Sequence, residues 1–218
     1  MCVNYVPVKR QGLEHFDVAA PQGEWPDEVW QDYAAPIIVS QPNGGRSALL
    51  ATYGMIPQTR YEKPADKRNT VNARAETIGE KPAFAGAWRA GQLCLVPVEK
   101  FFEPNYESGR AVRWGIGMAD AAPFAIAGLW RAWQGADGLL TYSFTQITVN
   151  ADQHQLMRRF HKPGDEKRSL VIVLAADYDD WLECKNPERA RSMLQLYPAE
   201  RMAAFAMPKD AIKQLDLF

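Results

Sequence analysis

The sequence predicts one α+β domain built mainly on an antiparallel sheet or partial barrel, with short helices flanking it. Three observations carry that expectation. Four strand-length apolar segments follow one another between residues 93 and 150, divided by turn-forming stretches such as "ESGR" and "QGADG". The helix-like segments are short and lie outside that block. No repeat and no low-complexity linker divides the chain. With 218 residues, 47% of them hydrophobic, there is enough chain to bury a substantial core.

Taken in order, the opening segment has strand composition through Tyr5 and Val6. "WPDEVWQDYA" (residues 25–34), with a proline in its first turn, predicts a short helix. "PIIVS" predicts a strand closed by the "QPNGG" turn, and "SALLATYGMIP" an apolar strand ending at Pro57. Thr59 to Thr70 is polar and aperiodic, hence a loop. "VNARAETI" predicts a helix start with Asn72 near its N-cap, where a side-chain amide serves free backbone donors and an anion is favoured. "LCLVPVEKFFEP", "AVRWGIGM", "PFAIAGLW" and "LLTYSFTQITVN" are the strands of the central block. Beyond them "ADQHQLMRRF" predicts a helix, "SLVIVL" a strand, "AADYDDWLECK" and "NPERARSMLQL" short helices, and "PKDAIK" a helical stretch.

Composition narrows the function classes. The three cysteines, Cys2, Cys94 and Cys184, are too few and scattered for a disulfide framework or a CxxC zinc site, which fits a reducing cytoplasm. The longest apolar runs, such as "SLVIVLAA", fall far short of the roughly 20 residues that span a bilayer, so no membrane association is expected. GxSxG, Walker A, GxGxxG and HExxH patterns are absent, and the sequence calls for neither cofactor nor metal. A net charge of −1 means that any nucleic acid must be bound by a local patch. One basic cluster holds Arg60, Lys63, Lys67, Arg68 and Arg74; the other holds Arg158, Arg159, Lys162, Lys167 and Arg168.

Three residues have chemical promise. Aminopeptidases remove an initiator methionine when the second residue is small, which would leave Cys2 as a free 1,2-aminothiol, its amine and thiol both partly nucleophilic near neutral pH. Glu103 follows "FF" at the end of an apolar strand, where burial would raise its pKa toward that of a useful proton donor. His161 sits between a predicted helix and a buried strand.

The order "MC", "YGMIP", "NARAET", "CLVPVEKFFEP", "PFAIAGLW", "FTQITVNA" and "FHKPGDEKRSLVIV" resembles the SOS response-associated peptidase family, the abasic-site processing proteins. The resemblance implies a single α+β domain over residues 1–208 whose N-terminal Cys2 crosslinks to abasic sites in single-stranded DNA, with an associated peptidase activity. It also implies that Asn72, Glu103 and His161 complete the catalytic set and that Arg74 is the basic residue of the same motif. Tyr53, Arg158, Arg159 and Lys162 are further expected DNA contacts. The chain departs from the family pattern in Val3 and Asn4, where the family has Gly-Arg, in Pro104, and in the "HKPGDEKR" run. Two other functions compete with this reading: a thiol hydrolase using Cys2 without DNA, and a non-catalytic module that binds single strands through aromatics such as Tyr53, Trp88 and Trp114. Residues 209–218 form a tail ending in "QLDLF", which resembles the peptide by which bacterial repair proteins dock on the sliding clamp. Gln214 would hydrogen-bond at one end, and Leu215, Leu217 and Phe218 would supply the apolar anchors.

Overall fold

The computed structural model describes residues 4–208; Cys2, Val3 and the proposed clamp peptide lie outside the described residues. The strands are β1 (Tyr5–Pro7), β2 (Ala34–Ser40), β3 (Arg46–Tyr53) and β4 (Asn72–Arg74), followed after helix α1 (Pro82–Arg89) by β5 (Leu93–Asn105), β6 (Val112–Met118), β7 (Phe124–Gln134) and β8 (Leu140–Asn150). The chain continues through β9 (Arg168–Leu170), β10 (Ile172–Val173), α2 (Tyr178–Glu183), α3 (Pro187–Ser192) and β11 (Met202–Ala206). Strands β7, β8, β3, β2 and β5 pair in sequence, and β5 pairs back to β7, so five strands close into a barrel. Closure removes the exposed edges of an open sheet.

Strands β2 and β5, the first half of β7 and the middle of β8 are buried on both faces, which is why they read as nearly continuous apolar runs, whereas β3 is half-buried along most of its length. Alternate residues enter two separate cores. Ile37, Val39, Val96, Val98, Phe124, Ile126 and Phe144 share one, while Ile38, Leu93, Leu95, Ala125, Ala127 and Leu129 face the other, with Trp88 of α1 and Trp181 of α2. The α2 helix is fixed by Trp181, whose indole Nε1 donates to the Cys94 carbonyl at 2.9 Å. Cys94 and Cys184 are both buried, and loss of water pushes the Cys94 thiol well above its ordinary range. Among the described residues no helix is long and apolar enough to cross a membrane.

Gly128 marks the closure point. It pairs with Cys94 on β5 and with Gln146 on β8, and a Cβ there would stand 2.6 Å from the Thr145 carbonyl oxygen and 2.8 Å from Cys94 Sγ. Gly128→Ala is therefore expected to lower stability by about 1–3 kcal/mol through overpacking, read as a lower melting temperature.

Three predicted helices are corrected. Residues 25–33 form irregular turns and Ala34 opens β2, because Trp25 donates its indole N–H to the Val8 carbonyl at 3.0 Å and Val29 exchanges backbone bonds with Tyr5 at 2.8 and 3.2 Å. Asp32 there adopts a left-handed φ of 68°. "VNARAETI" begins with strand β4, whose Asn72, Ala73 and Arg74 run parallel to Gln146, Ile147 and Thr148 of β8. Ala73 is fully buried, so sheet pairing overrides a weak local helix preference, and the supposed N-cap is a strand residue. "ADQHQLMRRF" contains only a 3-10 turn at Met157–Arg159, because the His154 ring accepts the Met157 amide at 3.0 Å. The "SLVIVL" strand is split into β9 and β10, and the parallel pairings of β8 with β3 and β4 depart from a purely antiparallel sheet.

Candidate active site

Strand β5 carries Glu103 across from Trp114 of β6. The following residues reach a second partner: Asn105 bridges Phe160, and the His161 amide donates to the Pro104 carbonyl at 2.9 Å. This contact brings two segments 58 positions apart together, setting His161 Nδ1 3.5 Å from Glu103 Oε2. Both side chains are nearly enclosed, with Glu103 3% and His161 6% exposed. His161 has φ 64°, a left-handed conformation uncommon outside glycine, and the backbone bond to Pro104 helps hold it there.

The imidazole has a defined orientation. Its Nε2 lies 2.9 Å from the Arg168 carbonyl, which can only accept, so Nε2 carries the hydrogen. Burial pulls the His161 pKa below its ordinary 6.5, the Arg168 carbonyl bond opposing this, and the ring is neutral at pH 7. Nδ1 therefore turns a lone pair toward the Glu103 carboxyl. A proton between them has two places to sit, which is the arrangement general acid–base chemistry requires.

The N-terminal strand runs into the same corner. Tyr5 pairs with Phe101, and the Asn4 carbonyl accepts from the Phe102 amide at 3.3 Å, so the described chain begins one residue from Glu103 in the sheet register. Asn4 also donates to Glu28, whose carboxylate binds Arg113 at 2.8 Å. Arg113 in turn lies 3.3 Å over the Phe102 ring.

The other expected site residues divide into two groups. Asn72 and Arg74 alternate with buried Ala73 and so share the opposite face of β4; Arg74 meets Glu166 at 2.7 Å. An open groove outside the imidazole is lined by Tyr106, Arg158, Arg159, His161, Pro163 and Lys167. Arg159 is held by a two-pronged contact to Glu107 at 2.9 and 3.0 Å and lies over Trp114, whereas Arg158 and Lys162 are exposed. Tyr53 does not fit the role of a DNA contact. It is fully buried, stacks on Phe144 and donates its hydroxyl to Gln146 Oε1 at 2.9 Å, so it presents no face to a base. Trp88 is likewise a core residue.

Sequence reasoning counted Arg168 only as a member of a basic cluster, not as the support of the imidazole, and passed over Glu76 and Thr148, which hold it. Arg168, only 2% exposed, donates to both carboxylate oxygens of Glu76 at 2.8 and 2.9 Å and to the Thr148 carbonyl at 2.7 Å. Burial alone would raise the Glu76 pKa, but the Arg168 bonds overcome it and hold the carboxyl below its ordinary value. The signal in the sequence was an arginine heading a buried strand. Among the described residues no group of three or more His, Cys, Asp and Glu side chains is placed to hold a metal ion.

Residues 2–213 match the family model described as SOS response associated peptidase (SRAP). The chain is 30% identical over 201 residues to abasic site processing protein YoaM of Bacillus subtilis (strain 168), covering 88% of this chain and 84% of that one. To YobE of the same organism, also called an abasic site processing protein, it is 28% identical over 199 residues, with 88% and 87% covered. A crystal structure of a Bordetella bronchiseptica protein matches with a TM-score of 0.85 at 37% identity, over 94% of this chain and 99% of that chain. A Bacteroides thetaiotaomicron structure shares the fold with a TM-score of 0.77 at 22% identity, over 97% of this chain and 94% of that one.

Proposed function

We propose, from the premise that the chain belongs to the SOS response associated peptidase family, that it processes abasic sites in DNA by capturing the opened sugar covalently through Cys2. The observation that carries this reading is the enclosed Glu103–His161 pair, 3.5 Å apart, beside the register position where the described N-terminal chain begins. The names borne by the Bacillus subtilis relatives point to the same substrate.

The chemistry follows from the groups. A ring-opened abasic sugar is an aldehyde. The neutral α-amine of Cys2, freed by loss of Met1, adds to its carbon, and expulsion of water leaves an imine. The thiol sulfur then adds to the imine carbon while its proton passes to nitrogen, closing a five-membered thiazolidine. Each step moves a proton, and Glu103 is the group assigned to carry it. Neutral His161 is assigned to exchange a proton with the sugar oxygen during ring opening, and Asn72 to hold the terminus or the developing hydroxyl. Release of a residue ahead of Cys2 by the same site belongs to this proposal.

The test is a denaturing gel after incubation with a single strand containing one abasic site. A retarded covalent band is expected, and its absence overturns the reading. Crosslinking should be stronger with single strands than with intact duplex, because the backbone must bend to deliver the sugar to an enclosed pair. Binding should weaken with salt, with a shallow slope for a chain of net charge −1. Equal crosslinking of duplex and single strands would exclude the single-strand preference. For Gln214, Leu215, Leu217 and Phe218 the sliding clamp stays the proposed partner, to be checked by clamp binding of a peptide of residues 209–218.

A further inference from the structure

We propose that Asn4, Glu28 and Arg113 are positioning residues that fix the N-terminal chain against strand β5 and so deliver the Cys2 amine to Glu103. The inference rests on the covalent reading above and deepens it.

The three side chains form a closed circuit with β5. Asn4 is a polar residue only 4% exposed, and it is bonded through both its backbone and its side chain. Its carbonyl accepts from the Phe102 amide at 3.3 Å, and its side-chain amide donates to Glu28 Oε1. The second carboxylate oxygen, Oε2, lies 2.8 Å from Arg113 Nη2. The Arg113 guanidinium lies 3.3 Å from the centre of the Phe102 ring, which returns the circuit to the residue that binds the Asn4 carbonyl.

This circuit surrounds the backbone at Glu103. Phe102 precedes Glu103 on β5, and on β6 Arg113 and Trp114 pair with Pro104 and Glu103. Tyr5, next to Asn4, pairs with Phe101 on one side and exchanges backbone bonds with Val29 at 2.8 and 3.2 Å on the other. Glu28 and Val29 therefore bracket the start of β1 from one side while β5 holds it from the other.

Chain geometry gives the bracket a catalytic consequence. Cys2 is two residues from Asn4, so its α-carbon can lie at most roughly 7 Å from that of Asn4, and each further residue left unfixed adds roughly 3.5 Å. Fixing Asn4 as well as Tyr5 shortens this leash by one residue, and the side-chain bond to Glu28 sets its direction. An amine confined in this way spends more of its time within reach of Glu103, which is the advantage that proximity gives a reacting group. The Glu28–Arg113 ion pair, with side chains 29% and 16% exposed, adds little stability by itself; its effect is to aim the carboxylate at Asn4. Asn4 stands where the family pattern has Arg. A cation there would compete with Arg113 for Glu28, whereas an amide joins the pair without adding charge.

The experiment uses two variants of the full-length protein. Asn4→Leu keeps the shape and removes the amide donor. Asn4→Asp combined with Glu28→Gln exchanges donor and acceptor, rebuilding an amide–carboxylate bond at the wild-type net charge. The rate of adduct formation is measured at saturating abasic single strand, alongside affinity for the same strand without the lesion, the melting temperature and the intact mass, which reads loss of Met1. Asn4→Leu is expected to lower the saturated rate roughly 10-fold while affinity, melting temperature and Met1 removal change little. The exchange should stay within about 3-fold of the wild-type rate. A saturated rate in Asn4→Leu within about 2-fold of wild type would overturn the positioning role. So would a loss confined to affinity, a loss that follows unfolding or retained Met1, or an exchange as slow as Asn4→Leu. Failure of the wild-type protein to form an adduct removes the functional reading, whereas a wild-type adduct with an unaltered Asn4→Leu rate removes the positioning role alone.

Discussion

Cys2→Ala is expected to abolish the durable adduct with abasic single strands, leaving at most a species that survives only when trapped by borohydride. The substitution keeps an α-amine, so an imine can still form, but no sulfur is available to close on it. Imines hydrolyse readily, and a thiazolidine resists, so the denaturing gel reads an all-or-none difference. No other cysteine can stand in. Cys94 is fully buried with its thiol pushed well above the ordinary range, and Cys184 is 4% exposed with its sulfur against the Asn186 carbonyl at 3.3 Å. An adduct from Cys2→Ala as stable as wild type without borohydride would exclude the aminothiol mechanism.

The second large effect is a rate. Glu103→Gln preserves volume and removes the titrating group, so adduct formation should slow by about 10²- to 10⁴-fold, the range general acid–base catalysis supplies. Its melting temperature should change little, because Gln can still face the imidazole. The pH profile gives a second readout. Burial holds the His161 pKa below 6.5, so the neutral ring persists as pH falls past that value, and the acid limb attributable to His161 should lie below pH 6.5. The same shift acts on stability with a defined sign. Because the unfolded chain binds this proton more readily, the His161 contribution is complete above pH 6.5 and declines as pH falls through the depressed folded value. Normal crosslinking rates in Glu103→Gln, or a loss that tracks unfolding, would return Glu103 to a structural role.

The strands were legible in the chain because each is an apolar run bounded by turn residues, and that information is local. "LCLVPVEKFFEP", "PFAIAGLW" and "LLTYSFTQITVN" all form where their composition predicts. Burial on both faces over β5, the first half of β7 and the middle of β8 made these signals stronger than a one-sided sheet would give. The two short helices near the C-terminus were equally readable, whereas β11, an alanine-rich strand, gave no such signal and forms by pairing with β6. Chemical promise was legible at Glu103 and His161 from residue type and setting, and the family from the order of short motifs.

Pairing was not legible, because it depends on residues far away in the chain. "VNARAETI" has helical composition, yet Asn72–Arg74 is a strand because β8 offers a parallel edge and Ala73 fits the core. Tyr53 looks like an aromatic contact until Phe144 and Gln146 enclose it. The 3.5 Å approach of Glu103 to His161 exists because Pro104 and Asn105 pair with a loop more than 50 residues away, and the imidazole is oriented by a carbonyl of a third segment. Composition and short-range pattern determine which segments can extend or coil. Long-range backbone hydrogen bonds and shared burial determine which side chains meet, and the enclosed carboxyl–imidazole pair is a property of that meeting.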